Sequence, residues 1–433
     1  MAHTTLVIRH CDMAEYNISY MRYKNLDEAT QALLLYAPAA TIRVYTLETM
    51  HQLMAAVGNP HTRLRVIHVA GTSGKTSTCY YIRALLESSG CRTGLTVSPH
   101  ITEINERVQI DGEPLEEARF VQYLETFMSL VEATTLSPSY YELTIAFAYY
   151  VFDQEHVDYA IIETGLGGLL DSSNVAMRDD KVCVIQRIGY DHTEILGDTI
   201  EEIALQKAGI IHENNEVFVM EQPEPALTAI VSYARMKHTE VNIVEDTHDA
   251  DIAVTYQQAN WSLGLAVYKF IVSRDHIQMA NNLQLARAKT QFPPGRFEVS
   301  VYKGKTVILD GAHNEQKLTA LFDSLPASSL NKPIIIFSLR ENRDQKIAEY
   351  LQIIKDHCSQ IVLTTFAVGQ DARSIKSVDP EVVKRHADEI GILATIITNQ
   401  QDAFSFALSQ EYDTILITGS LYLVSEMRKL IVD

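Results

Sequence analysis

Residues 66–78, VIHVAGTSGKTST, set an apolar run, a glycine-bearing turn ending Gly74-Lys75-Thr76 and the start of a helical pattern in direct succession. A strand–turn–helix of this kind aims backbone N–H groups at an anion and lines a helix dipole up with it. The spacing predicts a buried strand over 64–70 and a helix over 76–89 that Gly90 ends at its C′ position. Gly71, Thr72, Ser73 and Gly74 then form a triphosphate cradle. Lys75 can reach the outer phosphates, and a hydroxyl beside it, Thr76 or Ser77, can hold Mg2+. The pattern G-x-x-x-x-G-K-[ST] would want glycine at 69, where the chain has Val69, so Gly71 opens a shorter loop. A second Gly-Lys-Thr, at 304–306, follows a polar turn and precedes a strand. Without a helix N-terminus it offers no anion site and reads as a hairpin turn.

With 433 residues, the chain exceeds one typical core, so two domains are expected. Apolar residues make up 46% and charged residues 21%, the balance of a soluble globular protein. No 18-residue apolar run or signal peptide is present, so the reading is a cytoplasmic protein with no membrane partner. The five cysteines are scattered without a C-x-x-C pair, which suits reduced thiols. A net charge of −19 argues against a nucleic-acid partner; most of it reads as a solubilising surface, and anionic substrates would be met only in a locally positive pocket.

Strands alternate with helices from 64 to about 220, which predicts a doubly wound parallel sheet of the P-loop ATPase type with ligands at the carboxyl ends of its strands. Candidate strands are 64–70, 93–97, 157–163, 182–187 and 217–219; helices include 76–89, 115–131 and 141–154. Residues 220–290 are mixed. A second alternating series starts near 297, with strands at 306–309, 334–338, 361–365, 394–397 and 414–418. Its helices cover 315–325, 345–357, 380–389 and 421–432, and it forms a smaller, Rossmann-like α/β domain. The domains are placed at 1–292 and 297–433, with the Pro-Pro-Gly segment 293–296 as linker.

The run 157–163 ends in Glu163 and leads into Gly165-Leu166-Gly167-Gly168. A carboxylate at a strand end in the same sheet as a phosphate loop suits Mg2+, a hard cation that prefers oxygen. His192 follows the strand at 182–187 and reaches the same edge. Lys207 lies on a helix starting near Thr199, where a lysine is ordinarily a solvated surface residue. Arg296 follows the linker, and Asp310 and His313 sit at the end of the next domain's first strand, facing the gap between domains. Asp310 and Asn314 are also natural helix N-caps.

At these positions the chain resembles the folylpolyglutamate synthase/dihydrofolate synthase family of the Mur ligase superfamily. The resemblance runs from about residue 22 to the end. Its anchors are GNPHTRLRVIHVAGTSGKTST (58–78), SPHITEINERVQIDGE (98–113), YYELTIAFAYY (140–150), IETGLGGLLDSSNV (162–175), YDHTEILGDTIEEIALQKAGII (190–211), YQQANWSLGLA (256–266), PGRFEV (294–299), LDGAHNEQ (309–316) and TGSLYLV (418–424).

The resemblance implies an ATP-dependent ligase. A substrate carboxylate takes the γ-phosphoryl group of ATP, and the amine of L-glutamate displaces phosphate from the acyl phosphate to leave an amide. Small-molecule substrates are therefore implied: ATP, L-glutamate and a folate or pteroate acceptor, handled by a monomer. By motif, Lys75 and the loop 71–78 hold the triphosphate. Ser98, Glu163 and His192, with Thr76 or Ser77, match the positions around two Mg2+ sites. Lys207 matches a lysine carbamylated in many members. Asn260, Arg296, Asp310 and His313 match positions around the nucleotide and the second domain.

Departures from the family are Ser73 for asparagine, Thr76 for glycine, Leu169 for arginine, Tyr256 for histidine, a shorter 240–256 segment, and Asn342-Arg343-Asp344 in place of Asp-Lys-Asp. They bear on the acceptor more than on ATP use. The competing readings are a Mur-like amide ligase with a non-folate acceptor and a catalytically degenerate nucleotide-binding protein; the intact Lys75, Glu163, His192 and Lys207 speak against the last.

Overall fold

A computed structural model describes residues 22–37, 46–325, 332–341, 346–369 and 374–432. Expectations about Cys11 and about Asn342, Arg343 and Asp344 lie outside the described residues. The first sheet contains β1 (Val66–Ala70), β2 (Thr93–Thr96), β3 (Gln109–Ile110), β4 (Glu113–Pro114), β5 (Tyr159–Glu163), β6 (Val182–Ile185), β7 (Glu216–Met220) and β8 (Val241–Val244). Their order is β4-β3-β2-β5-β1-β6-β7-β8. All pairings from β2 across to β8 are parallel, and β3 and β4 extend one edge antiparallel.

The helices of this half are α1 (Leu26–Leu34), α2 (Glu48–Ala56), α3 (Lys75–Ser88), α4 (Glu117–Glu132), α5 (Tyr140–Gln154), α6 (Thr193–Leu196), α7 (Ile200–Ala208), α8 (Glu224–Met236), α9 (Thr255–Arg274) and α10 (Asn282–Ala288). They cover both faces, which is why β1 and β5 are buried along their whole length. Alternation along the strands divides the core. Val66, Ala160 and Ile162 face the cluster built by α1, α2, α4 and α5. Ile67, Val69 and Ile161 face the cluster built by α3 and α9. The chain runs from β1 out to β2, returns to β5 on the same side, then crosses to β6 on the other. That reversal puts the loop after β1 at the sheet's switch point, where ligands enter open α/β sheets.

The second sheet contains β9 (Glu298–Tyr302), β10 (Lys305–Leu309), β11 (Ile334–Phe337) and β12 (Gln360–Leu363); after a separate ribbon of β13 (Ala367–Val368) and β14 (Ile375–Lys376), it adds β15 (Ala394–Ile396) and β16 (Thr414–Thr418). The order is β15-β12-β11-β16-β10-β9, parallel except at β9. Its helices are α11 (Glu315–Asp323), α12 (Ile347–Lys355), α13 (Pro380–Glu389), α14 (Gln400–Ser409) and α15 (Leu421–Val432).

The expected α/β alternation holds in both halves, with element ends moved by a few residues. α3 starts at Lys75 and β1 at Val66; β9 is the first strand of the hairpin expected at 304–306, while α14 was not anticipated. The mixed stretch 220–290 resolves into α8, β8, α9 and α10. The second Gly-Lys-Thr is a hairpin turn: Lys303 (φ 49°) and Gly304 (φ 81°) are both left-handed, and they join β9 to β10 antiparallel. Cys79, Cys91, Cys183 and Cys358 are free thiols. Among the described residues, no helix is long and apolar enough to cross a membrane.

Candidate active site

The phosphate loop is shaped by two close approaches. A side-chain carbon at Gly71 would lie 2.6 Å from Gln186 Cβ, and one at Gly74 (φ 83°) would lie 2.3 Å from Asn260 Oδ1. Only glycine meets both demands. Gln186 itself donates from Nε2 to Thr78 Oγ1 (2.8 Å) and to Asn260 Oδ1 (2.9 Å), so Asn260 braces the loop from α9. The strand end after β6 clasps the loop. Thr72 N–H donates to the Arg187 carbonyl at 3.0 Å, and the Thr72 hydroxyl exchanges bonds with the carbonyl and N–H of Gly189. Lys75 Nζ rests on the Gly71 carbonyl at 3.1 Å. No side chain caps the N-terminus of α3, so its leading N–H groups remain for an anion.

Glu163 closes β5 and is 2% exposed. Its Oε1 accepts from the Thr76 hydroxyl at 2.9 Å, and its Oε2 accepts from Ser98 N–H at 3.4 Å. The hydroxyl that reaches Glu163 is thus that of Thr76; Ser77 is buried. Burial raises the Glu163 pKa, partly opposed by the Lys75 charge and the Thr76 hydrogen bond. A buried carboxylate that is costly to ionise, flanked by hydroxyls and a phosphate loop, fits Mg2+, which takes one or two carboxylates and fills its sphere with water and phosphate oxygens. Among the described residues, no group of three or more His, Cys, Asp or Glu side chains converges as a metal site.

A second cluster spans the two halves around Asp191. Its Oδ2 accepts from Asn314 Nδ2 (3.0 Å) and Lys317 Nζ (3.4 Å) and lies 3.8 Å from His313 Nε2. His192, left-handed at φ 52°, lies 3.9 Å from the other Asp191 oxygen and 3.6 Å from Glu194. Burial works against ionisation of Asp191, but Lys317, His313 and His192 outweigh it and hold the carboxyl well below the usual range. The cluster is anchored to the phosphate loop as well, since the Ser73 hydroxyl donates to Gln316 Oε1 at 2.7 Å.

Lys207 departs from the ordinary reading of a helical lysine: it is 5% exposed. Burial pushes its pKa down to about 7, helped by the nearby Lys75 charge and partly offset by Asp191. Asp310 is no helix cap. It accepts from the N–H groups of Phe297 and Ala312 and from the Tyr256 hydroxyl at 2.8 Å, and burial raises its pKa. Asn314 is the cap of α11. Arg296 donates to the Gly295 carbonyl at 3.1 Å, and its charge acts on both Asp310 and Glu163. His313 Nδ1 lies 2.7 Å from the Gly311 carbonyl oxygen.

The structure therefore joins the phosphate loop, Ser98 and Glu163 at one edge, and groups His192 with His313 around Asp191. Sequence reasoning passed over Gln186, Asp191, Gln316 and Lys317. Asp191 had a visible signal, a carboxylate beside His192 just after a strand; the others had none.

Residues 69–286 match the Mur ligase middle domain, and residues 296–430 match the dihydrofolate synthetase C-terminal domain. A dihydrofolate synthase/folylpolyglutamate synthase of Bacillus subtilis is 30% identical over 420 residues, covering 88% of this chain and 94% of that protein. The chain belongs to the folylpolyglutamate synthase/dihydrofolate synthase family. Another relative, a dihydrofolate synthetase of Saccharomyces cerevisiae, is 25% identical over 415 residues, covering 89% of this chain and 97% of that protein. A Mycobacterium tuberculosis folylpolyglutamate synthase solved with ADP and AMPPCP superposes with a TM-score of 0.77 at 25% identity, over 92% of this chain and 97% of that one. An FPGS–AMPPCP–folate complex superposes with a TM-score of 0.78 at 25% identity, over 94% of this chain and 99% of that one. The chain shares the fold of both solved structures over more than nine-tenths of its length.

Proposed function

We propose that this protein is an ATP-dependent ligase that joins L-glutamate to a folate-type carboxylate and releases ADP and phosphate. The observation that carries the reading is the Thr76–Glu163 contact at the uncapped N-terminus of α3, beside Lys75. In the proposed reaction the acceptor carboxylate takes the terminal phosphoryl group of ATP. The glutamate amine then attacks the acyl carbon, an amide bond forms, and phosphate leaves.

The loop 71–76 and Lys75 bind the triphosphate, with Asn260 fixing the loop from below. Thr76, Ser98 and Glu163 would hold one Mg2+, and His192 a second; magnesium neutralises charge on the phosphates and so eases phosphoryl transfer. Lys207 near pH 7 is partly a neutral amine, the form that takes up CO2, and as a carbamate it would supply an extra carboxylate at this edge. Arg296, Asp310 and His313 position the second domain, which begins after the 293–296 linker, over the reacting groups and keep water from the acyl phosphate. The protein acts as a monomer in this scheme.

The test is L-glutamate-dependent ADP release with ATP and Mg2+, using dihydropteroate, tetrahydrofolate and no acceptor, with Lys75→Ala as blank. Release with either pterin acceptor, lost in the blank, is expected. No release with either acceptor overturns the reading.

A further inference from the structure

We propose that Tyr256 is a positioning residue of the reaction: its hydroxyl ties the second half of the chain to the helix turn that shapes the phosphate loop, so that nucleotide at the loop and the seat of the second half are set together. This inference rests on the ligase reading.

The helix α9 serves two cores. At its start, Val254 and Tyr256 pack against the cluster of the second half that contains Phe297, Ala312 and Leu318. From Ala259 onward, Trp261, Leu263 and Val267 pack in the cluster of the first half. One helix of 20 residues therefore enters both halves, and a helix carries a displacement along itself as a rigid element. Tyr256 and Asn260 are four residues apart, on one face of the helix and about 6 Å along its axis.

Both ends of that turn are fixed by hydrogen bonds. At one end the Tyr256 hydroxyl donates to Asp310 Oδ2 at 2.8 Å. The same oxygen accepts from Phe297 N–H at 2.9 Å, and Oδ1 accepts from Ala312 N–H at 2.8 Å. Asp310 thereby gathers α9, the first residue after the linker and the turn leading to α11 on one buried carboxyl group. At the other end Asn260 Nδ2 donates to Gln257 Oε1 at 3.0 Å, which leaves Asn260 Oδ1 to accept from Gln186 at 2.9 Å and to lie against Gly74. Gln257 is the chain neighbour of Tyr256 and is 1% exposed, so it has no room to swing. A shift of Tyr256 thus reaches the phosphate loop through Gln257 and Asn260 within one turn.

The N–H groups that hold Asp310 in place both belong to the second half. The tyrosine hydroxyl is the bond that comes from the first half, and what it adds is a fixed distance between Asp310 and the loop. Phosphoryl transfer depends on such placement, because donor and acceptor oxygens have to stand in line. Tyr256 touches no reacting atom in this scheme and acts through Asp310 and Asn260.

The test compares the full chain with Tyr256→Phe, which removes the hydroxyl and keeps the ring against the second core. Hydrogen exchange of the Phe297 and Ala312 N–H groups is measured without and with ADP and Mg2+. It needs no acceptor and decides this inference by itself, whereas failure of the ligase reading shows as absent turnover in both proteins. ADP should slow exchange at both groups at least about fivefold in the wild type and less than about twofold in Tyr256→Phe. In turnover, Tyr256→Phe should lower kcat about 3- to 30-fold, with KM for ATP changed less. Equal slowing of exchange in the two proteins overturns the proposal. So does a lower melting temperature with kcat unchanged, which would mark the hydroxyl as a packing group only.

Discussion

Ser73, in the phosphate loop, donates its hydroxyl to Gln316 Oε1 at 2.7 Å, although 243 residues separate them in the chain. Gln316 also donates to the Ile188 carbonyl at 3.4 Å, so one carboxamide touches two loops of the opposite half. Ser73→Ala and Gln316→Ala should therefore not be additive. Each should cost about 0.5–1.5 kcal/mol, and the double variant about the same rather than twice as much. A double-mutant cycle on thermal unfolding checks this; full additivity would show that the bond is not made in solution.

The two Gly-Lys-Thr sequences offer a matched comparison. Gly74→Ala meets both a left-handed φ of 83° and Asn260 Oδ1 at 2.3 Å, and should destabilise the protein and abolish ADP binding. Gly304→Ala has φ of 81° but open space around it. It should cost only the backbone strain, about 1–2 kcal/mol, and leave ADP affinity intact. Melting curves and calorimetric titration with ADP separate the two.

Glu163 carries a testable cost. Its folded pKa is raised by burial, so the folded protein binds that proton more readily than the unfolded chain, whose carboxyl titrates near about 4.3. Stability is then lost as pH rises past the unfolded value, and the charged group is a burden at neutral pH. Without Mg2+ and nucleotide, Glu163→Gln should melt higher than wild type at pH 7. The same variant should lose the Mg2+-dependent part of ADP binding. A lower melting temperature together with undiminished Mg2+ dependence would contradict the assigned role.

Lys207 gives the opposite pH signature in a different window. Its pKa falls to about 7 on burial, against about 10.4 for an unfolded lysine. Between these values the unfolded chain binds more protons, so this group's contribution to stability rises with pH from about 7 to about 10.4. Lys207→Met should flatten that part of the stability profile. Its neutral amine should also take up 13C-labelled CO2 increasingly between pH 6 and 8, giving a carbamate signal that is absent in Lys207→Met. No pH-dependent difference from wild type would show that the amine is not held in the low-pKa state.

What could be read in the sequence followed local chemistry. The phosphate loop was visible because glycine, lysine and hydroxyl spacing directly encode a strand–turn–helix, and Glu163 because an apolar run ends on it. The hairpin at 302–305 was legible for the same reason, since no helical pattern follows Thr306. Lys207 was not, because a helix pattern shows which face a residue shares but not what will cover that face. Gln316 and Lys317 were invisible for a stronger reason: their partners Ser73 and Asp191 lie on the other half, and nothing nearby in sequence announces them. Asp310 reads in sequence both as a group facing the gap between domains and as a cap; it caps no helix and collects Tyr256, Phe297 and Ala312, contacts that nothing adjacent in sequence announces.

The strand β16 lies between β10 and β11 at the middle of the second sheet, and its residues 415–417 are fully buried. It is also the last strand of that sheet to leave the ribosome. Until it arrives, β10 and β11 have no common neighbour, and an apolar edge of each stays open. This half completes its sheet only after β16 is made, unlike the first half, whose central β1 is made early. A chain interrupted anywhere before residue 414 would lose the sheet's keystone rather than its fringe, and would be exposed to aggregation and proteolysis while its phosphate loop was already formed.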